Sequence, residues 1–287
     1  MALKSVKVRA IGISTLIGFT KSIIANQEDS DKMQANKKLL IMDTDMKRLE
    51  MLIAELNIIG VKPFIGYGNP NADILIIGKE CAEEDKERQE KFYSHNFEQW
   101  VKSLKGHGFG YKSGGEPYDF ESGNFHPIFP FYKQLNKIGR CGDNNGKTSS
   151  TYYYYQKLID KVRARSVDNY TPSPYVDFFK DCFITEFNDI CRRNNKGLKK
   201  DKRQETEDHI RERFDWMRRT NFFNQFKIVI LACGPYAGAI KKDECLKKDL
   251  FGNAEVYYCN QLSRWDKQLD DEIIPDIIGK NLLPQLC

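Results

Sequence analysis

The residues best placed for chemistry lie in one stretch, Gly66-Tyr-Gly-Asn-Pro-Asn-Ala-Asp-Ile-Leu-Ile-Ile-Gly-Lys-Glu-Cys-Ala82, where a polar turn feeds a short apolar run ending at Gly78. Such a run reads as a buried strand. The loop after it would carry Lys79 and Glu80 to the carboxyl end of a sheet, where open α/β sheets bind their ligands. A carboxylate there can serve as a base or aim a water, and an ammonium can hold a phosphate. Plainer roles stay open: Glu80 as an acid favoured at the start of the next helix, Lys79 as a solvated side chain.

Other chemical motifs fail on context. Gly142 to Ser149, Gly-Asp-Asn-Asn-Gly-Lys-Thr-Ser, has the look of a phosphate-binding loop, but its first glycine would fall on Cys141 and no apolar strand precedes it. Gly66-Tyr-Gly68 comes before a strand instead of after one, which fails the dinucleotide fingerprint and leaves a turn. The eight cysteines, at 81, 141, 182, 191, 233, 245, 259 and 287, include no pair two or three residues apart, against the usual zinc and iron-sulfur spacings. Cys182, Cys233 and Cys259 lie in apolar runs and read as buried free thiols of a cytoplasmic protein. No metal, cluster or other cofactor is expected.

Net charge is +5, and the segment Arg192 to Arg219 alone, with eleven Lys or Arg against six Asp or Glu, accounts for all of it. A local basic patch suits nucleic acid, with Arg192, Arg193, Lys199 and Lys200 as its leading cations. The alternative is a solvated helix laced with ion pairs, since the signs alternate from Glu205 to Arg219.

The elements that must position these residues can be read along the 287-residue chain. At 40% hydrophobic and 30% charged it has material for one large core, and no apolar run approaches the ~18 residues of a membrane span. Residues 1–42 read as an appendage; Lys4, Lys7 and Arg9 before Ala10 to Phe19 imitate a signal peptide, but no cleavage site follows. The fold should begin near Asp43 and run to the end, with insertions near 105–145 and 192–219. Met46, Leu49, Leu52, Ile53 and Leu56 recur at helical spacing over Thr44 to Leu56. Four runs of strand length follow, Asp73 to Gly78, Cys182 to Phe187, Lys227 to Ala232 and Glu255 to Cys259. Helical candidates are Glu83 to Leu104, Ser150 to Arg163, Glu205 to Phe223 and Pro235 to Lys248. The pattern predicts α/β architecture, a three-layer αβα sandwich around a four-stranded, mainly parallel sheet.

On the Gly-x-Gly-Asn-Pro-x-Ala-Asp turn and its strand, the sequence resembles the uracil-DNA glycosylase superfamily. Phe183-Ile-Thr-Glu-Phe-Asn-Asp189, Lys227 to Gly234 and Val256-Tyr-Tyr-Cys-Asn-Gln-Leu-Ser-Arg264 follow in that superfamily's order. The resemblance implies that Glu80 activates water against the sugar as oxocarbenium charge develops at C1′. It places Glu186 where the family reads the base with Asn. A carboxylate only accepts hydrogen bonds, which favours an amino-bearing base such as a modified cytosine. Asn188 is the alternative reader, two residues on along an alternating strand. Asn260 and Gln261 stand in for the family's last-loop histidine, Leu262 is either the wedge into the base stack or ordinary loop packing, and Ser263 and Arg264 are candidate phosphate ligands. Phe125, Phe129 and Phe131 are candidate stacking platforms, and His126 beside them is a weaker acid-base candidate.

The function expected from this resemblance is a monomeric, monofunctional DNA glycosylase, free of metal, acting on uracil or a modified cytosine in repair or against phage DNA. Two other classes remain: a non-catalytic nucleic-acid-binding protein of the same fold, and a hydrolase or binder of free nucleosides.

Overall fold

The computed structural model describes residues 47–79, 86–104, 127, 150–173, 176–188, 201–219 and 221–281. Glu80, Phe125, His126, Phe129, Phe131, Arg192, Arg193, Lys199 and Lys200 lie outside them, as do residues 1–42, the loop-like stretch 142–149 and, apart from Pro127, the expected insertion 105–145.

Five strands form one mixed sheet: β1 (Tyr67–Gly68), β2 (Ile74–Gly78), β3 (Cys182–Glu186), β4 (Ile228–Leu231) and β5 (Glu255–Tyr258), in the spatial order β1-β3-β2-β4-β5. The four expected strands are all present and mutually parallel; β1 is antiparallel to β3. β2, β3 and β4 are buried apolar runs with only Glu186 partly exposed, as a sheet covered on both faces requires.

The fifth strand corrects the expected four-stranded sheet and the expected turn at Gly66-Tyr-Gly68. With φ at +130° and +102°, Gly66 and Gly68 bring their backbone against the carbonyl oxygens of Ile184 and Cys182, where any Cβ would collide. Only glycine allows so close an approach. Buried Asn96 fixes the edge, accepting from the Ile65 and Gly66 amides and donating to the Gly66 carbonyl at 2.7 Å, as does the Trp100 indole. The turn proper comes next, where the Asn69 side chain accepts from the Asn71 amide and donates to the Lys180 carbonyl.

Residues 47–58 form α1, burying Leu49, Leu52, Ile53 and Leu56 on one stripe. α2 (Lys86–Leu104), α3 (Ser150–Arg163) and α4 (Asp201–Arg219) fall where expected to within a few residues. α3 lays buried Tyr155, Leu158, Ile159 and Val162 toward the core, with the Tyr155 hydroxyl beside Gly78. On the opposite side of the sheet, Trp100 of α2 meets Phe183, which also contacts Phe222 and Phe226, and Arg213 of α4 reaches Thr185.

The single helix expected over Pro235 to Lys248 is broken. A 3-10 turn (Gly234–Ala237) leads into α5 (Gly238–Lys242), and extended Asp243 then caps α6 (Glu244–Phe251) by accepting from the Leu246 amide at 2.9 Å. A short acidic capping residue inside an apolar periodic run is a start signal, and here it overrides the period. A last helical stretch escaped the sequence reading: a π turn (Leu269–Ile273) running into α7 (Ile274–Gly279).

α4 also settles the two readings of charge for its own length. Its six Lys or Arg are balanced by six Asp or Glu, so the excess of the basic segment belongs wholly to residues 192–200. On the helix, Arg211 pairs with Asp208 at 3.7 Å and Arg218 with Asp215. Arg213 is 1% exposed and cannot touch a phosphate.

Candidate functional site

After β2 the chain adds β3 on one side, then crosses to add β4 and β5 on the other. Connections leaving β2 and β4 therefore diverge, and a crevice is expected beyond their carboxyl ends. A cavity of about 480 Å³ lies there, lined by Lys79 after β2, Cys233 and Gly234 after β4, and Asn260, Gln261, Arg264, Trp265 and Asp266 after β5. Residues nearly two hundred positions apart in sequence thus share one wall system.

Each wall is held by its own backbone chemistry. Gly234 sits at φ +56°, its amide donating to the Cys259 carbonyl at 3.2 Å, and the Asn260 Oδ1 lies 3.8 Å from where its Cβ would stand. Asp266 accepts from both the amide and the Nδ2 of Asn260 at 3.0 Å, and from the Gln268 amide at 3.1 Å, so one carboxylate closes the loop and starts the following helix. Asn260 is thereby held with Nδ2 toward Asp266. Gln261, which makes no hydrogen bond among the described residues, is the better placed donor to a ligand. The Lys79 ammonium stands 5.0 Å from the Tyr236 ring centroid. Arg264 is exposed, whereas Ser263 is half-buried and does not line the cavity.

Leu262 is 0% exposed. As folded it is a core residue and not a wedge: the loop turns its one large aliphatic side chain inward, where burial is worth more than exposure.

Glu186 ends β3 beside Gly78, its register partner on β2. Its Oε2 lies 2.6 Å from where a Gly78 Cβ would be, and the Tyr155 hydroxyl 3.2 Å from the same point. The carboxylate is therefore laid across a glycine against a buried phenol. Burial pushes the Tyr67 and Tyr155 hydroxyls well up, and the Glu186 charge adds to both shifts, so both phenols stay protonated donors. The Tyr67 and Tyr152 hydroxyls are 3.3 Å apart. Burial likewise raises the Cys233 thiol, with Cys259 and Glu186 adding to it. Cys233 is a neutral wall and not a nucleophile.

Neither Glu186 nor Asn188 lines the cavity itself. Asn188 is fully buried, and its amide donates to the Lys79 carbonyl at 3.0 Å, as Phe187 does to Gly78 at 2.7 Å. β3 ends at Glu186, so strand alternation does not carry from 186 to 188. The backbone of 187–188 instead ties the exit of β3 to the exit of β2. From below, Arg213 donates to the carbonyls of Glu186 (2.7 Å) and Phe64 (2.9 Å) and to the Thr185 hydroxyl (2.7 Å).

Sequence reasoning missed Trp265 and Asp266, although they directly follow Arg264. Asp266 ahead of Leu269, Ile273, Ile274 and Ile277 was a usable helix-start signal. Among the described residues no group of three or more His, Cys, Asp or Glu is placed to hold a metal ion, and no helix is long and apolar enough to cross a membrane. Comparisons with family models, with curated proteins and with solved structures find no match for this chain.

Proposed function

We propose that the cavity beyond β2, β4 and β5 receives a nucleobase turned out of DNA, and that the protein is a DNA glycosylase of the uracil-DNA glycosylase type, a three-layer αβα protein that hydrolyses the base-sugar bond to leave an abasic site. One observation carries this reading: the loop after the Gly-Asn-Pro-x-Ala-Asp strand and the loop after the last strand, the two segments the resemblance requires to meet, line the same 480 Å³ cavity through Lys79 and through Asn260 to Asp266. A flipped nucleotide needs such a concave, mixed polar site with cations at its rim.

Glu80, next after Lys79, is the proposed water-aiming base. Gln261 donates to the departing base, Lys79 and Arg264 hold phosphates, and residues 192–200 grip the flanking strand. Glu186 does not line the cavity, so in this proposal it reads an exocyclic amino group only of a base that reaches past the lining to Gly78 and Tyr155, which favours an amino-bearing base over uracil.

The test exposes purified protein to duplexes carrying uracil, hypoxanthine, or hydroxymethylated or glucosylated cytosine, and scores abasic sites by alkali cleavage. The expected result is strand scission on at least one modified duplex. Glu80→Gln should lower it on the order of 10²- to 10⁴-fold with DNA affinity retained. Intact strands throughout overturn the enzymatic reading, and scission confined to uracil overturns the role given to Glu186.

A further inference from the structure

Trp265 stands on the cavity wall, half-buried, while the other two tryptophans are core residues, Trp100 at 0% and Trp216 at 6% exposure. Its orientation is fixed from one direction. The indole Nε1 donates to Asp270 Oδ2 at 2.8 Å, and Asp270 is anchored in turn by buried Lys161 at 2.6 Å. The Lys157 ammonium lies 4.0 Å from the ring centroid, Lys161 at 5.3 Å and the Tyr154 ring at 5.9 Å. Residues 154, 157 and 161 form one stripe of α3, so the indole is laid on that helix and its remaining surface is turned to the cavity. A rigid, cation-braced indole at a cavity wall is a stacking surface, since its ring loses little freedom when a second planar ring settles on it.

From this we infer that Trp265 is the stacking wall of the cavity and that the site takes a planar nucleobase with its ring plane against the indole. The inference rests on the proposed base-binding cavity and adds the residue that grips the base's face, while Gln261 and the rim cations meet its edge and phosphates. It asks nothing of the chemistry, so it can stand or fall separately from base excision.

Because Trp265 is the most exposed of the three tryptophans, the intact protein reports on its own site. Iodide quenching of tryptophan emission is measured with and without deoxycytidine, deoxyuridine, deoxyadenosine or deoxyguanosine, with deoxyribose as control. The expected result is that at least one deoxynucleoside, and not deoxyribose, lowers the quenching slope at least twofold. In calorimetric titrations Trp265→Leu should weaken that nucleoside roughly 5- to 150-fold, the loss expected for one base stack, and Trp265→Phe by much less. Should the leucine variant fail to fold, wild-type iodide protection and the phenylalanine variant still decide. No protection by any nucleoside, or equal affinity in the leucine variant and wild type, overturns the stacking role. Protection without strand scission on any duplex keeps Trp265 and removes the glycosylase; scission unchanged by Trp265→Leu does the reverse.

Discussion

The two ends of the sheet handle charge in opposite ways. At the amino end, just ahead of β3, Arg163 closes α3 by donating to Asp177 and Asp181 at 2.6 Å, with Asp160 at 3.4 Å. Gln156 fills the gaps, donating to Asp160 and Asp177 and accepting from the amides of Asp177 and Phe178. The Ser173 amide takes the other oxygen of Asp160 at 2.8 Å. At the carboxyl end the buried arginine, Arg213, bonds two carbonyls and a hydroxyl, and the Glu186 carboxylate lies over a glycine beside a phenol. Polar groups that saturate one another make a rigid foundation with no chemistry left over. Groups that line the cavity beyond the strand ends, such as Gln261 and Arg264, can turn to a ligand.

Breaking the closed end should have the largest effect. Arg163→Met leaves three buried or half-buried carboxylates facing one another, and losing the cation of such a cluster costs about 3–5 kcal/mol; urea unfolding should show the midpoint falling accordingly, while base release per folded molecule stays unchanged. Burial alone would raise the Asp177 carboxyl, but hydrogen bonding and charge from Arg163, with Gln156 and Lys180, hold it below its usual value. A lowered carboxyl binds protons more weakly when folded, so its contribution is present above the ordinary carboxylate range and fades as pH falls through the folded value. Wild-type stability should therefore drop on acidification below about pH 4 more steeply than that of the variant. Parallel acid limbs would show that Arg163 does not set this charge.

What was legible in the sequence follows the same division. The sheet was readable because its three inner parallel strands, β2, β3 and β4, are short, largely buried apolar runs and β5 is an equally short, half-buried one, and α3 because its apolar spacing is unbroken from Ser150 to Arg163. β1 was not, because two residues at an edge carry no periodicity; its only trace is a pair of glycines whose need appears once Ile184 and Cys182 lie against them. Among the residues that line the cavity, Lys79 was singled out by its position after a strand and Asn260, Gln261 and Arg264 through the family resemblance. Leu262 stayed open between wedge and packing because type alone does not say which way a loop residue turns, and its burial decides for packing. Trp265 was missed because its meaning depends on α3, more than a hundred residues earlier. The basic segment misled by averaging: counted together, residues 192–219 look like one patch, whereas α4 is neutral and its most buried cation is structural.

A smaller perturbation at the open end separates Glu186 from packing. In Gly78→Ala the new methyl would stand 2.6 Å from Glu186 Oε2, the movable end of a flexible side chain, so the carboxylate swings away while the backbone stays. Stability should change by no more than about 1 kcal/mol, because alanine suits this backbone and stiffens the unfolded chain. Base release should fall at least tenfold if Glu186 reads the base. Thermal unfolding and single-turnover cleavage measured together decide: full activity in a protein of unchanged stability would make Glu186 a spectator.

The finest distinction is between cations that line the cavity and cations on the exposed face of α4. Removing one cation that holds a phosphate should reduce the salt dependence of DNA binding by about 0.9 in log-log slope. Lys79→Ala and Arg264→Ala should each show a decrease of that size, because both side chains line the proposed site. Arg211→Ala and Arg218→Ala should show none, because Asp208 and Asp215 already hold those guanidiniums on an exposed helix face where the pairs add little either to binding or to stability. Fluorescence anisotropy with a labelled duplex across a salt series gives all four slopes. Decreases at Arg211 and Arg218 with none at Lys79 and Arg264 would mean that DNA runs along α4 and not across the carboxyl ends of the strands, and the cavity would lose its claim to the substrate.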